Sequence, residues 1–174
     1  WHFYVWGFLR LTIAWLIVYL ERNVSIQIID YRPPKIAQVF LLAAALLHWA
    51  TPLNEPLLYS NPMLAAILGV VAFSIMMWAW CLFRKHEIAI CPTARTDGLI
   101  MSGIYGLSRN PMYLGVIGML LAIAIYVGTF PFYFACLAYF IVINFIFCPY
   151  EENKLSKTFG EPYNSYRIKV RRWL

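Results

Sequence analysis

Long apolar stretches, separated by short polar or proline-containing segments, run along the whole chain. A helix that crosses the hydrocarbon core of a bilayer needs about 20 mainly apolar residues. Five stretches approach that length, and we expect a transmembrane helix in each: residues 3–20, 36–50, 63–83, 114–130 and 132–148. The pattern therefore predicts an all-α integral membrane protein with about five transmembrane helices in one domain, residues 1–174.

The segments between these stretches favour turns. Residues 31–35 contain Pro33 and Pro34 and should form a rigid, basic loop, because proline does not continue a helix. Residues 51–62 read as a polar loop, and residues 128–131 as a tight turn between the last two helices. After Pro149 the chain becomes polar, which predicts a C-terminal amphipathic helix. Arg10 interrupts the first stretch, and its side chain should reach the membrane surface or point into the bundle.

The charges indicate an orientation in the membrane. Only 13% of the residues are charged, against about 25% in soluble domains. With the N-terminus outside, every Lys and Arg except Arg10 lies on one side, and residues 51–62 and 128–131 contain none. By the positive-inside rule this side is cytoplasmic. The net charge of +6 follows from this topology and from anionic lipid at the inner leaflet, so no nucleic-acid partner is expected.

The cysteines and histidines do not predict a metal site. The cysteines lack a C-x-x-C pair and are expected to be buried free thiols: Cys81, Cys91, Cys136 and Cys148. The histidines have no spacing typical of metal ligands: His2, His48 and His86.

Residues 103–115 combine glycines, tyrosines and polar side chains between two apolar stretches. Polar groups at a membrane boundary cost free energy unless they have partners, which makes them functional candidates. A structural interpretation is that Asn110 caps a helix and Pro111 occupies its first turn. Capping does not explain Arg109, Tyr105 or Tyr113, and a helix N-terminus can also bind an anion. Local evidence leaves both interpretations open.

Two adjacent carboxylates, Glu151 and Glu152, follow Pro149. They suit the first turn of a helix that begins at the proline, where acidic side chains offset the helix dipole. They also suit a ligand that carries hydroxyls or a positive charge. The tail at 159–173 has aromatic and basic residues at helical spacing, which is typical of a helix at the membrane interface.

Two motifs carry a resemblance to a known family. The first is Gly-x-Tyr-x-x-x-Arg-Asn-Pro-x-Tyr-x-Gly from residue 103. The second, beyond a hairpin of two apolar stretches, is Glu-Glu-x-x-Leu-x-x-x-Phe-Gly-x-x-Tyr-x-x-Tyr-x-x-x-Val-x-Arg-Trp from residue 151. Together they resemble the isoprenylcysteine carboxyl methyltransferase family and its relatives, the phospholipid N-methyltransferases. The resemblance covers about residues 90–174, the catalytic part, whereas residues 1–89 match only as hydrophobic helices.

The resemblance implies an integral membrane methyltransferase that uses S-adenosylmethionine. Its cofactor pocket would be cytoplasmic and formed by the last two spans, the inner loop and the C-terminal amphipathic helix. Carried over by motif, the cofactor-binding positions are Asp97, Gly98, Leu99, Ile100, Gly103, Tyr105, Asn110, Pro111, Met112, Tyr113, Glu151 and Glu152. The catalytic candidates are Arg109, Asn110 and Tyr113.

The chain departs from the family pattern at two positions. Asn110 replaces the more familiar His, so this side chain can hydrogen-bond but cannot titrate. Phe147 stands where prenylcysteine methyltransferases carry a substrate-contacting Arg, so we expect it to face the substrate. We therefore expect a small lipidic acceptor that is neutral, zwitterionic or thiol-bearing. Two alternatives stay open: an NADPH-dependent membrane reductase of the sterol-reductase type, and a non-catalytic membrane scaffold.

Overall fold

The computed structural model describes residues 33–50, 60–85 and 98–174, and these ranges are all-helical, without a strand. The helices are α1 (Pro33–Ala50), α2 (Pro62–Lys85), α3 (Pro111–Val127), α4 (Phe130–Val142), α5 (Cys148–Phe159) and α6 (Glu161–Lys169). A 3₁₀ turn at Gly103–Gly106 precedes α3, and a π-helical turn at Ile143–Phe147 joins α4 to α5. The all-α prediction is confirmed for these ranges. The expected first span at 3–20, with Arg10, lies outside the described residues.

Proline stands in the first turn of each of these six helices. The positions are Pro33, Pro62, Pro111, Pro131, Pro149 and Pro162. At every position but Pro149, where the helix continues from the preceding turn, a first-turn N–H has no partner within the helix, so proline loses no hydrogen bond there and its fixed φ suits the helix. For this reason the expectation of a loop at Pro33 and Pro34 is wrong. Both prolines belong to α1, and its apolar residues begin at Ile36, after Lys35.

Helices α2 and α3 approach each other closely through residues without large side chains. A Cβ added at Gly115 would lie 2.8 Å from the Met76 Cβ and 2.9 Å from the Ala72 carbonyl oxygen. A Cβ added at Gly118 would lie 2.7 Å from the Ala72 Cβ. In a membrane, where apolar residues gain little by leaving lipid, such close backbone contact is a main source of helix association.

Helix α1 contacts α4 and the short turn between α3 and α4. Helix α1 packs against α4, and the His48 ring meets Phe132 edge-on with centroids 5.9 Å apart. His48 Nδ1 also lies 3.2 Å from Thr129 Oγ1. Gly128 ends α3 in the left-handed region at φ 77°, which glycine adopts without steric cost. The tight turn predicted here is confirmed.

The π-helical turn follows from Pro149. The Cys148 N–H donates to the carbonyl of Ile143, five residues back, instead of that of Asn144. In this register the Asn144 carbonyl would need the N–H of Pro149, which does not exist. The helix nevertheless continues, so α4, the π turn and α5 form one rod, Phe130–Phe159. The helix predicted after the last apolar stretch is present as α5, with Glu151 in its first turn, but it continues the rod instead of starting a separate helix at Pro149.

Two of the described helices are long and apolar enough to cross a membrane, Pro62–Lys85 and Phe130–Phe159. Helix α3 is apolar but has only 17 residues. Large apolar side chains remain exposed on the faces that these helices turn away from one another: Val70, Trp78, Phe134, Leu137 and Ile141 among others. Such a surface is unfavourable in water and suits contact with lipid. The described helices alone do not establish the predicted count of five spans.

Candidate active site

The segment before α3 is anchored to the C-terminal end of α2. Ile100, Ile104 and Tyr105 are buried in one apolar cluster with Ala79. The Tyr105 ring meets Phe83 edge-on, with centroids 5.6 Å apart. Only the backbone of Tyr105 takes part in a polar contact given by the structure: its carbonyl accepts a 2.6 Å hydrogen bond from the Tyr166 hydroxyl. The cluster thus holds both the inner segment and α6.

Residues 108–110 bind the backbone of the C-terminal tail. The Arg109 N–H donates to the Arg171 carbonyl at 3.0 Å. The Ser108 hydroxyl and the Asn110 amide both donate to the Arg172 carbonyl at 3.2 Å. Asn110 does stand at the N-cap position of α3, but its side chain makes no capping hydrogen bond. The predicted N-cap position and the first-turn Pro111 are confirmed, but the side-chain capping bond is absent, and the side chain is turned to the tail, where its Nδ2 donates to the Arg172 carbonyl.

Glu152 is a buried carboxylate on which three guanidinium groups converge. Arg172 donates to it twice, from Nε to Oε1 at 2.8 Å and from Nη2 to Oε2 at 2.9 Å. Arg109 Nη1 lies 3.1 Å from Oε1, and Arg167 Nη2 lies 3.9 Å from Oε2. The hydrogen bond to Glu152 raises the pKa of Arg172, so this guanidinium stays charged. Glu152 therefore ties α5 to the tail and to the segment before α3.

The tail also closes the π turn. Arg172 Nη1 donates to the carbonyl of Asn144 at 3.2 Å, which is the carbonyl left without a helical donor by Pro149. The Asn144 side-chain oxygen accepts from Trp173 Nε1 at 3.0 Å. The Trp173 ring packs on Phe140, with centroids 5.4 Å apart. Arg172 and Trp173 are thus bound to the last span rather than to lipid.

Glu151 has a different environment from its neighbour. Its Oε1 accepts a 2.5 Å hydrogen bond from the Tyr113 hydroxyl on α3. Glu151 therefore faces the α3 side of the helix, while Glu152 faces the tail. Tyr139, on α4, is fully buried, and its hydroxyl has no hydrogen-bond partner among the described residues. The hydroxyl lies within electrostatic range of Cys148 and Glu151, so these three groups form one polar cluster.

The predicted site residues fall into separate groups. Asp97 lies outside the described residues, and Ile100 and Tyr105 are packed in the apolar cluster. Met112 packs against the same cluster, and Pro111 is fully buried at the start of α3. Gly103 is exposed, with φ 64°, and Gly98 and Leu99 are partly buried in the segment leading to it. The structure brings together Arg109 with Glu152, and Tyr113 with Glu151.

Phe147 is fully buried within the π turn. A side chain with no exposed surface can contact a ligand only inside the bundle. Cys148, the next residue, is likewise fully buried.

Several residues of this region escaped the sequence reasoning: Ser108, Tyr139, Asn144, Tyr166 and Arg172. Arg172 stands in the second motif, but the motif does not say which carbonyl it meets. Pro149 was the available signal, because a proline inside an apolar helix leaves a carbonyl that some donor must reach. Tyr166 is buried as a neutral donor, and burial raises its pKa to about 12.

The described part of the chain shows free cysteines at 81, 136 and 148, so free thiols are confirmed there. Cys136 and Cys148 are buried as expected, but Cys81 is exposed because it lies on an outward face of α2. Cys91 lies outside the described residues. No group of three His, Cys, Asp or Glu side chains within the described ranges is arranged to hold a metal ion.

Comparison with known proteins identifies relatives. The family profile described as phospholipid methyltransferase matches residues 61–162. The match therefore begins at α2, earlier than the resemblance in the motifs, and ends within α6. A 63-residue Haemophilus influenzae protein described as uncharacterized is 36% identical over its whole length, which is 36% of this chain. No solved structure matches the chain.

Proposed function

The chain belongs to the phospholipid methyltransferase family of membrane proteins, and from that membership we propose that it transfers a methyl group from S-adenosylmethionine to a small lipidic acceptor. The family is related to the isoprenylcysteine carboxyl methyltransferases, so the resemblance seen in the two motifs is confirmed at this level. The family match favours a methyltransferase over a reductase of the sterol-reductase type.

The observation that carries the proposal is that the two adjacent glutamates have different partners. Glu152 is engaged by Arg172 through both carboxylate oxygens and by Arg109. Glu151 accepts a hydrogen bond from a neutral group, the Tyr113 hydroxyl, and Lys154 acts on it electrostatically. A carboxylate held this way can accept hydrogen bonds from a pair of hydroxyls, such as those of a ribose. One glutamate thus holds the fold and its neighbour can hold a ligand.

The residues around Glu151 fit S-adenosylmethionine in their chemistry. Glu151 offers a carboxylate to the ribose, and the Tyr139 hydroxyl is a buried polar atom that lacks a partner among the described residues. Such a group is costly unless a ligand or water supplies one. The Tyr113 ring offers an aromatic face, which attracts a cation such as a sulfonium. The cofactor supplies an activated methyl group.

The chain would contribute to the reaction by aligning the methyl donor with the acceptor and by excluding water from the site. Methyl transfer is an in-line displacement, so holding donor and acceptor in line accounts for much of the rate enhancement. Tyr113 and Glu151 fix each other across α3 and α5 through their 2.5 Å hydrogen bond. Phe147 and Cys148 are both fully buried, and their side chains would keep water away from the start of α5. The acceptor would enter between helices from the lipid.

The acceptor is proposed to be neutral, zwitterionic or thiol-bearing. At 147 the chain has a buried aromatic ring where prenylcysteine methyltransferases carry an Arg, so no cation at that position can pair with an acceptor carboxylate. An unpaired carboxylate in such a place would cost several kcal/mol. In the proposed topology the N-terminus is outside and the site faces the cytoplasm, from which the polar cofactor arrives.

The test is calorimetry of the detergent-purified protein with S-adenosylhomocysteine. Binding at micromolar affinity supports the proposal. Absence of binding, together with a thermal shift on adding NADPH, would favour the reductase. Absence of any binding to S-adenosylhomocysteine and to NADPH would favour a non-catalytic scaffold. Methyl transfer from labelled S-adenosylmethionine to N-acetyl-farnesylcysteine tests the acceptor class. Efficient turnover would contradict the proposal for residue 147.

A further inference from the structure

The guanidinium of Arg109 is buried with donors left over. Its side chain is only 10% exposed. Nη1 lies 3.1 Å from Glu152 Oε1, which pairs the charges. The Tyr163 hydroxyl also contacts this guanidinium, yet within the described ranges neither Nη1 nor Nε makes a geometrically aligned hydrogen bond. Buried charged donors without acceptors are unfavourable, so these two N–H groups indicate a missing acceptor.

Glu152 supplies Arg109 with a counter-charge but not with an aligned acceptor. Its two oxygens accept from Arg172, at 2.8 and 2.9 Å, in a two-pronged arrangement. Arg167 Nη2 approaches the same carboxylate at 3.9 Å. Three positive charges therefore surround one negative charge in this cluster. The surplus is positive, and it lies where the segment before α3, α5 and α6 meet.

We propose that Arg109 and Arg167 form a binding site for an oxyanion, either a carboxylate or a phosphate, carried by a ligand. The planar fork of an arginine matches the spacing of such oxygens and binds them through paired N–H groups. Arg109 contributes the buried, fixed donors. The side chain of Arg167 is 53% exposed and supplies a movable cation on the open side of the cluster. Arg172 remains committed to Glu152.

Two sources could present this oxyanion. One is the carboxylate of the amino-acid part of the cofactor, and this case rests on the proposed function. The other is the phosphate of an anionic phospholipid, and this case does not depend on any methyl transfer. Lipid phosphates are concentrated at the membrane surface beside basic residues. The two sources differ in the compound that loses affinity when Arg109 changes.

The first arm of the test compares Arg109→Gln with Arg171→Gln by calorimetry. Arg171 is an exposed base that directly precedes Arg172 in the tail, and its substitution serves as the matched loss of charge. S-adenosylhomocysteine carries the carboxylate, whereas 5′-methylthioadenosine lacks it. If the cofactor is the source, Arg109→Gln weakens the former by about tenfold to a hundredfold and leaves the latter unchanged.

The second arm measures the melting temperature of the detergent-purified protein with short-chain phosphatidylglycerol and with a diacylglycerol of the same chain length. If lipid phosphate is the source, phosphatidylglycerol stabilises the unmodified protein and Arg171→Gln but not Arg109→Gln. The diacylglycerol has no such effect. If the unmodified protein does not bind S-adenosylhomocysteine, the proposed function is contradicted. The melting temperatures with phosphatidylglycerol would still show whether Arg109 binds a phosphate.

Arg109→Gln should fold, because Glu152 keeps its two hydrogen bonds from Arg172. If it does not, Arg109→Lys retains the charge without the fork, and Arg167→Gln removes only the exposed member. Each should show part of the loss in the same arm. The proposal is wrong if these variants match Arg171→Gln in both arms.

Discussion

Arg172 Nε and Nη2 donate to the two carboxylate oxygens of Glu152 at 2.8 and 2.9 Å. The same guanidinium donates through Nη1 to the Asn144 carbonyl. A single side chain in the tail thus joins the π turn to the helix that follows it. The adjacent Glu151 is left to face Tyr113, and the two neighbouring glutamates are expected to respond differently to the same substitution.

We expect Glu152→Gln to destabilise the protein by about 1.5–3 kcal/mol for each charged hydrogen bond that it weakens. The carboxylate is buried, and its loss leaves several guanidinium groups without their counter-charge. Thermal unfolding in detergent measures the effect. Glu161→Gln is the control, because Glu161 is exposed and bonded to Ser165 on its own helix. Equal melting temperatures for the two variants would contradict the structural role of Glu152.

For Glu151→Gln we expect weaker cofactor binding with little change in stability. Loss of a carboxylate-to-hydroxyl hydrogen bond costs about 1.5–3 kcal/mol, or roughly tenfold to a hundredfold in affinity. Calorimetry with S-adenosylhomocysteine measures it, and Glu161→Gln again provides the control. When corrected for any unfolded fraction, Glu151→Gln should lose more affinity than Glu152→Gln. Unchanged affinity in Glu151→Gln would rule out the ribose contact.

Gly115→Ala should destabilise the protein by about 1–3 kcal/mol, the usual cost of overpacking. The added methyl group would lie 2.8 Å from the Met76 Cβ and 2.9 Å from the Ala72 carbonyl oxygen. Gly69→Ala is the matched control within α2, since its Cβ would meet Ala122 at an ordinary 3.7 Å. In a helix interior the control should be neutral or stabilising. The measurement is thermal unfolding of both variants, and a Gly115→Ala variant as stable as the control would be evidence against close helix packing.

Topology can be tested by thiol labelling of single-cysteine variants in a cysteine-free background. Asn54→Cys should be labelled from outside by an impermeant reagent, whereas Lys157→Cys should react only after permeabilisation. The basis is the one-sided distribution of Lys and Arg along the sequence. Labelling in the opposite sense would contradict the orientation with the N-terminus outside.

The positions of the helices could be predicted because hydrophobic length largely determines them. The predicted spans at 36–50 and 63–83 correspond to Pro33–Ala50 and Pro62–Lys85. Both helices begin earlier than predicted, because a prediction from apolar residues alone does not include prolines in the first turn. The next predicted helix, at 114–130, begins at Pro111 for the same reason. It ends at Val127 because Gly128 adopts the left-handed conformation that terminates the helix.

The polar contacts could not be predicted, because they join residues far apart in sequence. Asn110 had a plausible local role as a cap, but the Arg172 carbonyl, 62 residues away, takes its amide. Glu151 and Glu152 are adjacent in sequence, and only the packing of the tail shows which of them is engaged by arginine. The assignments of cofactor and catalytic residues therefore remain predictions.

The glycine contact between α2 and α3 has a further consequence for how the site can change. The inner segment is anchored to α2 through Ala79 and Tyr105, whereas Tyr113 is carried by α3. The close approach of the two helices at Gly115 and Gly118, where neither residue carries a side chain, therefore sets the spacing between α2 and α3 at these two parts of the proposed site. Replacing either glycine by alanine would push α2 and α3 apart, and the spacing of the proposed site would then change while its polar groups stay the same.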